Sequence, residues 1–244
     1  LELILVGDEA CLGELVNSIA HDESRLSIRH ASEVVGMSEP PAEALRRKKD
    51  SSMRVAINLV KEGTAAACVS AGNTGALMAT SKFVLKTLPG IDRPAIIGEL
   101  PSFKGSLHML DLGANTLCSA DQLFQFAVMG SIVARDVKGI ESPRVALLNI
   151  GAEEAKGHDT VKDAAALISN SSLNYIGFIE GTDIFRGKAD VVVTDGFTGN
   201  VVLKLLEGFS GFMLGLMLKE LESQGVDWGR EALGRLRRRL DYSE

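Results

Sequence analysis

Turns rich in Gly, Asn, Asp and Ser follow apolar runs of the chain and carry residue types suited to binding an anion. The turns are Ser70–Gly75, Asp111–Asn115, Asn149–Glu154 and Thr194–Asn200. Glycine lets a ligand approach the backbone, and a helix that begins after such a turn points unpaired N–H groups at an anion. A single turn is equally well explained by local turn preferences. Their repetition favours one shared site at the carboxyl ends of the strands.

A second candidate for anion binding is the basic run Arg46–Lys49, which is followed by Ser51 and Ser52. Serine is a preferred N-cap residue, so the basic run lies beside the N–H and hydroxyl donors of a predicted helix terminus. Such a terminus is suited to phosphate. Two alternatives stay open, namely a solvated charged face and a docking surface for an acidic protein.

Signatures of several other chemistries are absent from the sequence. It has no GxSxG, HExxH or GxxxxGK[ST] motif, and no GxGxxG follows a predicted strand. His21, His30, His108 and His158 lack metal-ligand spacing, and Cys68 lies in an apolar run, where a buried thiol is expected. His158 lies in a polar loop and is either catalytic or simply solvated. We therefore predict neither a metal nor a cofactor.

The lack of an obvious nucleophile agrees with a reaction in which phosphate itself attacks. Phosphate is already anionic at neutral pH. An enzyme that uses it needs an anion site, and it needs donors for the oxyanion that develops on an acyl carbonyl. Backbone N–H groups and the side chains of Asn, Ser and Thr supply such donors.

Composition limits the class of protein. The 244 residues carry a formal net charge of −6, which argues against general binding of nucleic acid. The 3 cysteines show no CxxC spacing, which argues against a disulfide framework or a zinc site. With no basic region of a signal peptide at Leu1–Asp8, we predict a cytoplasmic protein. Because the chain opens without Met and stops just after a basic segment, we expect further residues beyond both ends.

Short apolar runs alternate with helical patterns, which predicts an α/β fold with a parallel-rich sheet sandwiched by helices. Predicted strands are Leu3–Val6, Leu26–Ala31, Ala66–Val69, His108–Leu110, Val145–Leu148 and Asp190–Val193. Predicted helices are Leu12–His21, Glu43–Lys49, one from Ser51 to Gly63, one from Gly75 to Leu85, Asp121–Arg135, Val161–Ile168 and Val201–Leu218. We expect residues 1–200 to form the α/β catalytic core.

Residues 201–244 are predicted to form a protruding helical hairpin. Gly211 and Gly215 are four residues apart in its first helix, which permits close helix approach and favours a buried dimer interface. The second helix, Trp228–Leu240, is basic and amphipathic. Such a helix can lie on an anionic membrane, and packing against a subunit or exposure to solvent are equal alternatives.

Several segments resemble, in order, the signature regions of the phosphate acyltransferase (PlsX) family. They are Arg46–Ala56, Val69–Ala79, Leu88–Ala95, Asp111–Asn115, Gln125–Gly130 and Asp195–Lys204. The resemblance implies a homodimer with a fold similar to isocitrate and isopropylmalate dehydrogenases and to phosphotransacetylases. It also implies acyl-carrier-protein thioester as donor, inorganic phosphate as acceptor, a place at the start of bacterial phospholipid synthesis, and peripheral membrane association.

On this resemblance we assign site residues as hypotheses. The residues expected to hold phosphate are Lys49, Ser51, Ser52, Asn73, Thr74 and Gly75. Those expected to receive the carrier protein are Arg46, Arg47 and Lys48. If Asn73 is catalytic, we expect Asn73→Ala to lose about tenfold or more in turnover while the protein stays folded.

The second group of hypotheses concerns the later turns. Asn115 and Asn200 are expected to position the thioester or stabilise its oxyanion, and Asn115→Ala is expected to behave like Asn73→Ala. Asp195 is expected to orient or deprotonate phosphate, and Lys204 to neutralise charge. Asp111 has a structural alternative as a loop cap, and the same alternative applies to Asp195.

Other functions stay open at this point. One is a phosphotransacetylase-like acyltransferase that uses a coenzyme A thioester. Another is a non-catalytic adaptor that binds carrier protein or membrane through the basic run and the amphipathic helix. A nicotinamide dehydrogenase on a related fold is the least favoured, because the dinucleotide fingerprint is absent.

Overall fold

The computed structural model describes residues 1–153, 155–223 and 233–235. In chain order, the elements are β1 Leu3–Gly7, α1 Glu9–Asn17, β2 Leu26–His30, α2 Pro41–Arg47, α3 Ser52–Lys61, α4 Thr74–Leu85, β3 Ile97–Ser102, β4 Gly105–Leu110, α5 Ala120–Lys138, β5 Arg144–Leu148, α6 Asp159–Ser169, β6 Asn174–Ile179, a 3₁₀ helix Gly181–Arg186, β7 Val191–Val193 and α7 Gly196–Ser223. They form two compact units, Leu1–Pro94 and Ala95–Glu244.

The first unit pairs β1 with β2 in parallel and packs helices around a small apolar cluster. The buried members of this cluster are Ala44, Met53, Ile57, Ala76 and Val84, contributed by α2, α3 and α4. A parallel bridge between Glu33 and Ser51 joins the segment after β2 to the start of α3. The cluster therefore fixes the N-terminal ends of α3 and α4 relative to each other.

The second unit contains a five-stranded sheet in the order β3-β4-β7-β5-β6. The strands β4, β7, β5 and β6 run parallel to one another. The edge strand β3 pairs with β4 in the antiparallel direction. Pro101 lies in β3, as expected of an edge, because proline cannot donate a ladder hydrogen bond. The sequence did not predict β3 or β6.

Alternate residues of the central strands serve two apolar clusters on opposite faces of this sheet. Val191 and Val193 of β7 face the cluster formed with α5 and α6. Val192 faces the other cluster, which includes residues of the 3₁₀ helix and of α7. All three valines are fully buried. The prediction of a mixed α/β fold with a parallel-rich sheet covered by helices is confirmed.

The predicted strand Ala66–Val69 is wrong. These residues pair with no described strand, and the side chain of Val69 is 98% exposed. An apolar run becomes a strand only where a neighbour takes its N–H and C=O groups, and β1 pairs only with β2 in its sheet. The turn that begins at Ser70 therefore follows a segment without regular secondary structure rather than a strand.

The segment predicted as the turn Thr194–Asn200 is mostly helical. α7 begins at Gly196, so Gly196–Asn200 forms its first turns. Among the described residues, α7 contains one window, Gly196–Leu221, that is long and apolar enough to cross a membrane, with a mean hydropathy of 1.7. This is weak evidence by itself, since core helices of soluble proteins pass the same test.

The predicted hairpin and the domain boundary at residue 200 stay predictions. Most of the second predicted helix, Trp228–Leu240, lies outside the described residues.

Candidate active site

The N-terminal ends of α3 and α4 are neighbours in the first unit. A Cβ built on Gly72, just before α4, would lie 3.3 Å from Cε of Met53 in the first turn of α3. Ser51 caps α3, because its Oγ accepts a hydrogen bond from the N–H of Arg54 (3.3 Å), and the hydroxyl donates to the carbonyl of Lys48 (2.9 Å). Ser51 is buried and used internally, whereas Ser52 is half-buried.

Asn73 uses both ends of its amide within the fold. Its Oδ1 accepts the N–H of Ala76 (3.0 Å) and so caps α4. Its Nδ2 donates to the carbonyls of Gly36 (3.2 Å), Met37 (2.9 Å) and Glu39 (2.9 Å). Asn73 therefore holds the 36–39 segment against the start of α4, and its role toward a substrate stays a prediction.

Glu39 continues this network to the basic run. Its carboxylate accepts hydrogen bonds from Nζ of Lys48 (2.6 Å) and from the N–H of Gly36 (3.1 Å). The hydrogen bond from Lys48, followed by that from Gly36, lowers the pKa of Glu39 below its usual value. Nζ of Lys48 also donates to the carbonyl of Val34 (2.6 Å). Lys48 is therefore hydrogen-bonded to groups of the first unit itself.

The other cations of the basic run face solvent. Arg46, Arg47 and Lys49 are exposed, and Arg47 pairs with Glu43 one helical turn away (2.8 Å). Thr74 and Gly75 are also exposed at the start of α4. The first unit therefore offers a basic, solvent-facing surface whose geometry is set by Ser51, Asn73 and Lys48.

In the second unit, the buried carboxylate of Asp111 organises the turn after β4. It accepts hydrogen bonds from the backbone N–H groups of Ile96 (3.1 Å), Gly113 (3.2 Å), Ala114 (2.8 Å) and Asn115 (2.8 Å). It also accepts one from Nδ2 of Asn115 (2.8 Å). Asp111 is 0% exposed, so the structure uses it as the loop cap that the sequence analysis left as an alternative.

The turn after β4 packs directly on the first turns of α7. The N–H of Gly196 donates to the carbonyl of Asn115 (2.7 Å). A Cβ on Gly199 would lie 1.9 Å from the carbonyl oxygen of Asp111, so only glycine fits there. Asn200 lies over Gly113, whose built Cβ would be 3.4 Å from the Oδ1 of Asn200. The structure thus brings Asn115 and Asn200 to one place.

Asn115 and Asn200 differ in what their amides do. Asn115 is buried and bonded to Asp111. Asn200 is exposed, and no hydrogen bond joins its amide to another residue in the described part of the chain. Of the two, Asn200 is the side chain placed to contact a ligand, and Asn115 shapes the turn beneath it.

Asp195 and Lys204 complete the predicted set. The carboxylate of Asp195 accepts hydrogen bonds from the N–H (2.8 Å) and the hydroxyl (2.9 Å) of Thr198, and so caps α7. Lys204 is exposed one turn beyond Asn200 and pairs with Glu207 (2.7 Å). Residues four apart share a helix face, so Lys204 lies on the same side of α7 as Asn200.

A cavity of about 490 Å³ opens beside Asp195, at the carboxyl ends of β5 and β7. Its lining is Leu123, Leu147, Leu148, Asn149, Ile150, Gly157, His158, Val161, Val193, Thr194, Asp195 and Thr198. The sequence analysis named the turn beginning at Asn149 but not the apolar walls. Those walls come from separate helices and strands, and no local pattern marks them.

Comparisons with known proteins show the family to which the chain belongs. A family model described as "Fatty acid synthesis protein" matches residues 1–243. A phosphate acyltransferase of Methylococcus capsulatus is 58% identical over 224 residues, 91% of this chain and 66% of that protein. One from Pseudomonas putida strain GB-1 is 57% identical over 228 residues, 93% of this chain and 67% of that protein. The chain therefore spans about two thirds of the length of these relatives.

Two solved structures share the fold at low sequence identity. The EutD phosphotransacetylase from Staphylococcus aureus has a TM-score of 0.59 and 19% identity, covering 86% of this chain and 74% of its own. A branched-chain phosphotransacylase from Enterococcus faecalis has a TM-score of 0.53 and 14% identity, covering 84% of each chain. At these identities the likeness shows the fold alone.

Proposed function

The chain belongs to the family of fatty acid synthesis proteins described above, and from this premise we propose that it transfers a fatty acyl group from a thioester to inorganic phosphate. The observation that carries the proposal is the packing of the Asp111–Asn115 turn against the start of α7, which places the exposed amide of Asn200 over Gly113. No nucleophilic side chain is needed for this reaction, because the attacking group is an oxygen of phosphate.

In the proposed reaction, an oxygen of hydrogen phosphate forms a bond to the thioester carbonyl carbon, and the C–S bond breaks. The proton of hydrogen phosphate ends on the departing sulfur, giving a thiol and an acyl phosphate. Asn200 donates a hydrogen bond to the carbonyl oxygen as it becomes negative. Lys204 neutralises charge, and Asp195 orients the phosphate or relays its proton.

Phosphate binding is proposed for the surface of the first unit. Its members are Lys49, Ser52, Thr74 and Gly75, with Ser51 and Asn73 fixing the helix termini that carry them. Exposed N–H and hydroxyl donors at a helix start suit an anion, and Lys49 adds a positive charge.

We propose acyl-carrier protein as the donor, because an acidic carrier complements the exposed cations Arg46 and Arg47. Lys48 supports this surface through Glu39 rather than facing the partner. A coenzyme A thioester is the alternative donor and forms one arm of the test.

We also propose a homodimer that uses the outer face of α7. Exposed apolar side chains recur along this helix at Phe197, Val201, Leu205, Phe209, Phe212 and Leu216. An apolar stripe of this length on a water-soluble enzyme calls for a partner surface. Contact with an anionic membrane is the competing use of the same stripe, and a cytoplasmic location agrees with either.

The test is to incubate the full chain with acyl-carrier-protein thioester and phosphate and to trap acyl phosphate as its hydroxamate. We expect product that depends on phosphate, and a smaller rate with a coenzyme A thioester. Asn200→Ala is expected to lose about tenfold or more in rate with unchanged stability, because its amide makes no internal hydrogen bond to described residues. Binding of carrier protein without any acyl phosphate would instead favour the adaptor function.

A further inference from the structure

Six of the twelve described residues that line the cavity beside Asp195 are leucine, isoleucine or valine. Leu123, Leu147, Val161 and Val193 are members of the buried apolar cluster between the sheet and α5 and α6, so the cavity is an extension of that core. Its described lining contains no lysine or arginine. Its carboxylate, Asp195, is already bonded to Thr198.

This lining selects against a charged ligand. An anion held among Leu123, Leu147 and Val161 would meet only apolar side chains of the described lining, and burying an unpaired charge there is strongly unfavourable. An alkyl chain, by contrast, gains from every methylene it buries. The volume of about 490 Å³ falls within the range of roughly 300–1,000 Å³ that small-molecule sites occupy.

The polar residues of the cavity lie where a chain would enter. Asn149 and His158 flank the turn after β5, and Thr194, Asp195 and Thr198 border the start of α7. Asn200 follows Thr198 by two residues, so its side chain lies on another face of the same helix and does not line the cavity. A chain that enters past Thr198 leaves its carbonyl end at the start of α7, within one helical turn of Asn200.

We infer that this cavity holds the alkyl part of the acyl group, with the methyl end among Leu123, Leu147 and Val161. The inference rests on the proposed acyl transfer and adds to it the site that selects chain length. Val161 is the residue that we expect to limit chain length, because it contributes to the cavity wall from α6 and its side chain is almost fully buried.

Binding can be measured without turnover. The probes are neutral N-acetylcysteamine thioesters of straight-chain acids with about 4 to 12 carbons, titrated into the full chain by calorimetry. We expect the affinity to rise roughly three- to fourfold per added methylene until the cavity is full. An affinity that does not change with chain length would overturn the inference.

Matched variants on α6 locate the site. Val161→Phe fills the cavity and is expected to weaken binding of the longest probe by about tenfold or more, with little change for the shortest. Leu167→Phe lies on the same helix but outside the lining and is expected to bind every probe as the parent chain does. Equal effects of the two variants would contradict the assignment.

A photoreactive probe covers the case in which Val161→Phe does not fold. A thioester with a diazirine at the chain end is crosslinked to the parent chain, and the labelled peptides are sequenced. Label on Leu123, Leu147 or Val161 supports the site, and label only on other residues overturns it.

The results also separate the alkyl site from the proposed function. Length-dependent binding without acyl phosphate would refute the proposed function but keep the site. Acyl phosphate formation with label elsewhere would keep the proposed function but refute the site.

Discussion

The carboxylate of Asp111 accepts two hydrogen bonds from Asn115, one from the backbone N–H and one from the side-chain amide, both at 2.8 Å. Three further backbone N–H groups donate to the same carboxylate. All of these donors lose their partner if the carboxylate is removed, and a buried unsatisfied donor is costly. The turn that supports the candidate active site therefore depends on this one side chain.

We predict that Asp111→Ala loses about 3 kcal/mol or more in free energy of unfolding. Asp111→Asn keeps one acceptor oxygen and is expected to lose less. Urea denaturation followed by circular dichroism measures both. Asp136→Ala is the control, because Asp136 is exposed and pairs only with its neighbour Arg135 on the surface. Equal stability of Asp111→Ala and the control would contradict this role for Asp111.

Gly199 provides a second test of the same packing. A Cβ there would overlap the carbonyl oxygen of Asp111, a backbone atom that cannot give way as the end of a flexible side chain can. Gly199→Ala is expected to lose about 3 kcal/mol or more, together with most activity.

The matched control for Gly199 is Gly208→Ala on the same helix. Apart from its chain neighbours and the backbone of its own helix, no atom of the described residues lies within 4 Å of a Cβ built on Gly208. Alanine is the better helix former, so we expect a gain of up to about 1 kcal/mol. Thermal unfolding measures the change in Tm of both variants. Similar Tm changes for the two would show that the close approach at Gly199 is not required.

The sequence predicts the centre of the second unit well. The apolar runs that become β4, β5 and β7 are visible, because strands buried on both faces need continuous apolar residues. α5 is found within a few residues of its ends, since Ser119 and Gln122 form a capping box and Gly139 ends the helix in a left-handed conformation. Local signals of this kind suffice where a segment determines its own structure.

Prediction from the sequence fails where contacts with a neighbouring element determine the secondary structure of a segment. Ala66–Val69 has the composition of a strand but no described partner, and Gly196–Asn200 has the composition of a turn but forms helix. For the site, the residue types at the turns were predicted. A cap at Ser51 and a loop cap at Asp111 were among the expectations. The hydrogen bonds from Asn73 to residues 36–39 and from Ile96 to Asp111 were not, because they join segments distant in the sequence.

Asn73 allows its capping role to be separated from its hold on the 36–39 segment. Asn73→Ser keeps an acceptor for the N–H of Ala76 but loses the three donated hydrogen bonds. Asn73→Asp also keeps the cap but places a carboxylate against the three carbonyl oxygens. Asp and Ser are comparable N-caps. We therefore expect Asn73→Asp to be less stable than Asn73→Ser by about 1 kcal/mol or more.

The Asn73 comparison is made by urea denaturation of the full chain. To the expectation that Asn73→Ala loses turnover while the protein stays folded, the structure adds a loss of stability, because the four hydrogen bonds of the Asn73 side chain are removed. If Asn73→Asp and Asn73→Ser were equally stable, the carbonyl contacts would contribute nothing and Asn73 would be a simple cap.

His108 predicts how the stability of the second unit depends on pH. Burial lowers the pKa of His108 below its ordinary value of 6.5, and Lys138 lowers it further, while Glu99 partly opposes the shift. Below pH 6.5 the unfolded chain therefore binds a proton at this position that the folded chain does not. Stability should fall as the pH drops below 6.5 and level off below the folded pKa. Nothing is expected from His108 above pH 7.5.

The measurement is the free energy of unfolding from pH 7.5 to 5.0 for the parent chain and for His108→Gln, which cannot titrate. The fall in stability should be smaller in His108→Gln. His158→Gln is the control, because it removes the same ring from an exposed position at the start of α6. Because Glu99 and Lys138 lie next to His108, the comparison is repeated in high salt, where screening should weaken their effects but not that of burial. If the free energy of unfolding fell with pH equally in His108→Gln and in the parent chain, other groups would cause the pH dependence, and burial of the His108 imidazole would not.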